Sequence, residues 1–312
     1  MVEVDNLVKH YGSIKAVNGI SFNVKKGEVL GFLGPNGAGK STTMKMITCF
    51  LTPTSGTAKV NNLDILENPI QVKQEIGYLP ESAPLYDEMT VEKFLIFIAQ
   101  VRGYQGADAR MRVDRVSEIC QLNKVLVQPI HTLSKGFRQR VCFAQALIHD
   151  PSVLILDEPT DGLDPNQKQA VRDLISSMKD EKVIILSTHI LEEVDSICSR
   201  ALIISEGVVK IDGTPAELKA KSEIHGAIVI TLDGKNDEEL KSAIKGLESV
   251  KRVEQLNGIP EGKFRLRCYP VENKDLAQDL ASFLNEKKIN AEEFKVEEGR
   301  LDEVFRKITR TV

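Results

Sequence analysis

Gly34-Pro35-Asn36-Gly37-Ala38-Gly39-Lys40-Ser41-Thr42, GPNGAGKST in one-letter code, follows the short apolar run Glu28–Leu33 and leads into a helical pattern over Ser41–Phe50. The stretch satisfies GxxxxGK[ST] with both flanks that the motif needs, a strand before it and a helix after it. Its glycines let successive backbone N–H groups turn inward around phosphate oxygens, and the helix N-terminus adds partial positive charge. On this reading residues Gly34 to Gly39 cradle phosphate, Lys40 reaches the β- and γ-phosphates, Ser41 holds Mg²⁺ through its hydroxyl, and Thr42 completes the motif. A Gly-rich turn that only caps a helix would need neither the lysine nor the hydroxyl.

More than a hundred residues on, Ser152 to Pro159 (SVLILDEP) forms an apolar run that delivers two adjacent acids at its C-terminal end. Open α/β sheets place their ligands at that end of the strands. Asp157 suits a carboxylate for Mg²⁺. Glu158 suits the base that orients a water toward the γ-phosphate.

The rest of the first part alternates short β-rich runs, such as Lys182–Ser187, with helical patterns, the order of an α/β domain with a mostly parallel sheet. Between Pro80 and Asp150 the strand signal disappears, and Val91–Arg102, Ala109–Leu122 and Ser134–His149 read as a helical insertion. After about Ala220 the pattern changes. Strands are expected at Ala227–Leu232, Val250–Gln255, Lys263–Tyr269 and Ala291–Val296, and helices at Asp237–Leu247, Asn273–Lys287 and Leu301–Thr309, with a turn at Asn257–Gly262. The order βαββαβ is that of a ferredoxin-like split βαβ unit.

Composition narrows the function class. The 312 residues carry 41 Lys and Arg against 45 Asp and Glu, and this near balance holds on both sides of Ser222, so neither part offers the basic footprint of a nucleic-acid binder. The five cysteines are widely spaced, form no CxxC pair, and read as free buried thiols of a reducing compartment. Glu3 and Asp5 stand where a secretory signal needs basic and then apolar residues. The longest apolar stretch, Phe94–Val101, is far short of a membrane span, so a membrane role would come through a partner.

Between the two phosphate-site motifs lies Leu133 to Arg140, LSKGFRQR. Here the chain resembles the ATP-binding subunits of ABC transporters, whose signature reads LSGGQ: Ser134 and Gly136 match, whereas Lys135 and Phe137 depart. Tyr11 sits where the family has an aromatic that stacks on adenine, with a plain core aromatic as the alternative. Asp161 to Pro165 (DGLDP), which contains Asp164, looks like the family's D-loop, and His189 in STHI looks like its switch histidine. Glu81 stands after IGYLP where the family usually has Gln. It offers only acceptors when ionised, and a surface acid is the alternative. The ending Glu297 to Phe305 (EEGRLDEVF) is similar to the tails of ABC-2 exporter cassettes, and IGYLPE and LSKGFRQR are similar to gliding-motility and copper-maturation cassettes.

The resemblance implies a P-loop NTPase cassette over residues 1–220, with a mostly parallel sheet core, an antiparallel β part and a helical insertion at about 81–150. A C-terminal accessory α+β ferredoxin-like domain would follow over 221–312. It implies ATP and Mg²⁺ as ligands, with Ser41, Asp157 and Glu81 at the metal and Glu158, His189 and Glu81 in hydrolysis. It also implies a homodimer or paired cassette that sandwiches two ATP, a separate membrane-embedded permease, no nucleic acid, and a peripheral place on the cytoplasmic face of the cell membrane. Ser134 begins a helix, an anion site that in this family serves the neighbouring cassette. A soluble translation or repair ATPase of the family and a non-hydrolytic regulator are the alternatives. The first normally has tandem cassettes or a coiled-coil insertion, and this chain has one phosphate loop. The second is disfavoured by Glu158 and His189. The last ninety residues are left between a unit that biases the dimer and a stabilising appendage.

Overall fold

Strand β3 (Val29–Leu33) leads into the phosphate loop, and every one of its residues is buried. The structure is a computed structural model and describes residues 1–82, 84–234, 238–257, 262–272 and 274–309. The chain divides into two compact units, the first made of Met1–Pro215 with the C-terminal residues from Ile308 and the second of Ala216–Lys307. The break falls at the start of a short helix, a little ahead of the expected position after residue 220.

The first unit opens with an antiparallel hairpin, β1 (Val2–Tyr11) and β2 (Ile14–Val24), before β3. After α1 (Lys40–Ile47) come β4 (Ser55–Val60), β5 (Leu63–Asp64), α2 (Pro69–Glu75) and β6 (Ile76–Leu79). The insertion follows as α3 (Val91–Val101), α4 (Gly106–Ile119) and α5 (Lys135–Leu147). The unit then completes its layers with β7 (Val153–Asp157), α6 (Pro165–Met178), β8 (Val183–Thr188), α7 (Leu191–Ile197), β9 (Arg200–Ser205), β10 (Val208–Gly213) and the start of α8 (Pro215–Lys219).

Two sheets result. One is antiparallel, in the order β2-β1-β4-β5; the other has six strands in the order β10-β9-β3-β8-β7-β6, parallel except for β10 at the edge. A single core joins the antiparallel sheet, α1 and one face of the parallel sheet, with Phe22 and Phe32 meeting edge to face at 4.9 Å. Helices reached by crossovers cover the parallel strands, which is why β3, β7 and β8 are apolar at nearly every position rather than alternating.

The second unit runs β11 (Ile228–Asp233), α9 (Glu238–Lys245), β12 (Val250–Leu256), β13 (Lys263–Pro270), α10 (Leu276–Glu286), β14 (Ala291–Val296) and α11 (Leu301–Thr309). Its sheet is wholly antiparallel in the order β12-β13-β11-β14. Ile228, Ile230, Phe264 and Leu266 point to one face, where they form a core with Ile244 of α9 and Leu280 and Leu284 of α10. The first residues expected in the helices from Asp237 and Asn273, and residues 258–261 of the expected turn, lie outside the described residues.

Among the described residues no helix is long and apolar enough to cross a membrane. The five cysteines are free; four are buried and Cys49 is half-buried, a small departure from the expectation of five buried thiols.

Candidate phosphate and catalytic site

The phosphate loop is held open by backbone geometry that only glycine adopts without strain. Gly37 and Gly39 have φ of 79° and 105°, and a Cβ on Gly39 would lie 2.4 Å from the Ala16 carbonyl oxygen of β2. The loop delivers Lys40 as the first residue of α1, its side chain only 6% exposed. The Lys40 ammonium donates to the Gly34 carbonyl at 2.8 Å and to the Pro35 carbonyl at 3.4 Å, so these two residues position the lysine from behind the cavity.

Strands β7 and β8 pair in parallel, with Asp157 opposite Ser187, and bring a second set of groups to the same point. Asp157 is buried, and its Oδ1 accepts from the Ser41 hydroxyl at 3.1 Å and from the Ser187 hydroxyl. The Glu158 N–H donates to Ser187 Oγ at 3.1 Å. Glu158 itself takes a left-handed backbone, φ 50°, a conformation that costs a non-glycine residue about 1–2 kcal/mol. Its carboxylate lies 2.8 Å from His189 Nδ1 and 3.7 Å from Lys40 Nζ. A cation for phosphate, an acid and an imidazole are thus adjacent.

These groups open on one cavity of about 740 Å³, lined by the loop from Asn36 to Thr42 and by Glu81, Glu158 and His189. Glu81 follows β6, which carries the half-buried Tyr78, whose phenol is held protonated well above its ordinary range by burial first and by Asp157 and Glu81 next. Ser41, Asp157 and Glu81 present hydroxyl and carboxylate oxygen, the hard donor set that suits Mg²⁺. Among the described residues no three His, Cys, Asp or Glu side chains gather as a metal cage.

Other expected residues fall elsewhere. Tyr11 ends β1 half exposed, with Lys9 Nζ 5.4 Å from its ring, and the cavity wall nearest it is formed by Ile14, Lys15 and Ala16 instead. Asp164 caps α6, accepting from the Gln167 N–H at 2.9 Å, while Asp161 of the same loop lines the cavity. Ser134 caps α5 by accepting from the Phe137 N–H at 3.4 Å, and neither it nor Gly136 lines the cavity. A Cβ on Gly136 would stand 2.6 Å from the end of the Gln167 side chain of α6, so a larger residue there would displace that amide. The residues that motif reading missed are Ser187 beside Asp157 and Ile14, Lys15, Ala16 and Glu206 on the cavity wall, while Asp161 was read only as the start of the DGLDP loop. The available signal for Ser187 was its place as the first residue of STHI, directly after the apolar run Val183–Leu186; Ile14, Lys15, Ala16 and Glu206 carry no local mark.

Comparison with known proteins places this geometry in a family. A family model described as "ABC transporter" matches residues 17–161. The linearmycin resistance ATP-binding protein LnrL of Bacillus subtilis is 32% identical over 310 residues, 99% of this chain and 98% of that one. The probable multidrug ABC transporter ATP-binding protein YbhF of Escherichia coli is 38% identical over 223 residues, and that match spans 71% of this chain but only 38% of the relative. Among solved structures, a dimeric bacterial ABC transporter cassette aligns with a TM-score of 0.63 at 25% identity, covering 69% of this chain and 99% of that chain. The chain belongs to the ABC transporter ATP-binding proteins.

Proposed function

We propose that the chain is the ATP-hydrolysing subunit of an ABC-2 type exporter, driving transport through a separate membrane-embedded permease. The observation that carries this reading is the convergence of Lys40, the Ser41–Asp157 pair and the Glu158–His189 pair on one cavity behind the phosphate loop. The names of LnrL and YbhF, a resistance protein and a probable multidrug transporter component, support export as the direction.

In this mechanism the loop N–H groups and Lys40 bind and orient the triphosphate. Mg²⁺, held by Ser41 and Asp157 with Glu81 near it, would neutralise charge on the β- and γ-phosphates. Glu158 takes a proton from the attacking water as its oxygen bonds to the γ-phosphorus. The bond from that phosphorus to the bridging oxygen breaks, and ADP leaves with the electron pair. His189, 2.8 Å from Glu158, orients that carboxylate and faces the γ-phosphate. Tyr11 supplies an exposed ring for adenine.

Ser134 and Gly136 open a helix away from their own cavity, so they serve the nucleotide of a second cassette, and two chains enclose two ATP. The dimeric assembly of the related cassette supports this arrangement. A groove between the core and the helical insertion, framed by the exposed Phe50 and Val101 with Ile98 and Pro84, suits an apolar segment of the permease, which supports the reading of a peripheral subunit at the cytoplasmic face of the membrane. For the last ninety residues we favour a ferredoxin-like accessory unit that biases cassette pairing, on the strand order β12-β13-β11-β14 with both helices on one face.

Glu158→Gln tests the core of the reading. It should keep ATP binding and lower turnover by about 10²–10⁴. Unchanged turnover would remove Glu158 from the role of base.

A further inference from the structure

Glu193 of α7 has no exposed surface, and no phosphate or metal role claims its carboxylate. Burying a carboxylate costs several kcal/mol unless its oxygens are bonded. Here both are: Oε1 accepts from the Thr160 hydroxyl, and Oε2 accepts from the Thr188 hydroxyl at 2.7 Å. Thr188 Oγ1 in turn accepts from the Ile190 N–H at 3.0 Å, which closes the turn around His189.

The positions of these threonines give the carboxylate its meaning. Thr160 follows Glu158 by two residues, and Thr188 immediately precedes His189. One buried side chain therefore ties together the loops that leave the neighbouring strands β7 and β8, each next to one member of the Glu158–His189 pair. Beyond the tie, the Asp161 N–H donates to the Glu158 carbonyl at 3.2 Å and the Leu163 N–H to the Thr160 carbonyl at 3.2 Å, so the fixed point at Thr160 extends into the loop that lines the cavity. The left-handed backbone of Glu158 persists only where its surroundings over-determine it, and the Thr160 anchor lies just past it.

We propose that Glu193 is a positioning residue for ATP hydrolysis: by holding Thr160 and Thr188 on one carboxylate, it keeps Glu158 and His189 in register. The proposal rests on the reading of Glu158 as the base. A carboxylate that served stability alone would leave kcat of the folded chain untouched.

The test is steady-state hydrolysis by the full chain, with ATP affinity measured separately by displacement of a fluorescent nucleotide. Glu193→Gln keeps size but replaces one acceptor with a donor. It should lower kcat by about 10- to 100-fold while KM and ATP affinity stay within about twofold. Thr160→Val and Thr188→Val, near-isosteric losses of one hydroxyl each, should lower kcat severalfold and add little to Glu193→Gln in double mutants, because all three act through one contact set. Should the Glu193 variant not fold, the two threonine variants decide. Wild-type kcat in these variants, or a rise in KM with kcat held, overturns the proposal. Turnover that is insensitive to Glu158→Gln overturns the base assignment itself, whereas Glu158-dependent turnover that ignores Glu193 and both threonines overturns only the tie.

Discussion

Strands β7 and β8 of the first unit are buried along their whole length, whereas β12 and β14 of the second expose most of their residues. The parallel sheet is covered on both faces, by the antiparallel sheet with α1 on one and by helices on the other, so its polar groups collect at the strand ends, where Asp157, Ser187 and Thr188 are found. The antiparallel sheet carries its helices on one face and spends the other on charge pairs between strands, Arg265 with Glu293 at 2.8 Å and Arg267 with Glu297 at 2.6 Å. Buried polar groups at a strand end converge on a ligand; charges spread across an open face satisfy one another. The two sheets therefore differ in what their polar residues are for, and the difference can be broken experimentally from either side.

The largest effect expected is on the second unit's core. Leu266 of β13 has no exposed surface, and Leu266→Ala should cost about 3–5 kcal/mol, read as an earlier urea transition for Ala216–Lys307. ATP binding at the Gly34–Thr42 loop should survive, and its loss would show that the two units depend on each other. On the cassette side, Lys40→Ala removes the cation held at the mouth of the loop, so ATP affinity in titration calorimetry should fall roughly a hundredfold. Equal affinity would separate the lysine from phosphate binding.

The smallest effect concerns acid. His149, at the end of the insertion, is largely buried, and burial first, then the Arg102 charge, pulls its imidazole down to about 4 against an ordinary 6.5. Its Nε2 lies 3.1 Å from the Ile76 carbonyl. Because the unfolded chain binds this proton more readily, stability is full above pH 6.5 and drains away as pH falls toward 4, by about 2 kcal/mol at pH 5. The second unit's His225 is exposed. The denaturant midpoint of the first unit should drop between pH 7 and pH 5 in wild type and drop less in His149→Gln; parallel curves for the two chains would exclude His149 as the cause.

Much of the cassette was readable before folding because its chemistry is local. The loop GPNGAGKST needs only its own glycines and the helix it opens, and the expected insertion helices match α3, α4 and α5 to within a turn. The elements of the second unit were likewise readable from alternation, since a half-exposed sheet writes its two faces into neighbouring residues. Tyr11 and Asp164 mark the opposite limit. Ser134 caps α5 away from its own cavity, as the helix start implied, but Asp164 is engaged as a helix cap and Tyr11 lies outside the cavity wall, because spacing along the chain does not encode where a loop faces.

The amino-acid sequence by itself determined the phosphate loop and the acid pair at the end of β7, and it showed a change of pattern after about Ala220, all of which follow from backbone conformations and patterns a few residues long. Tertiary structure alone decided that Ser187 shares Asp157 with Ser41, that Asp161 rather than Asp164 faces the cavity, and that Glu193 binds Thr160 and Thr188. The reason is distance along the chain. Glu193 lies 33 residues from Thr160, and Asp157 lies 116 from Ser41, and only the packing of strands side by side turns such separations into contact and a solvated carboxylate into a buried one.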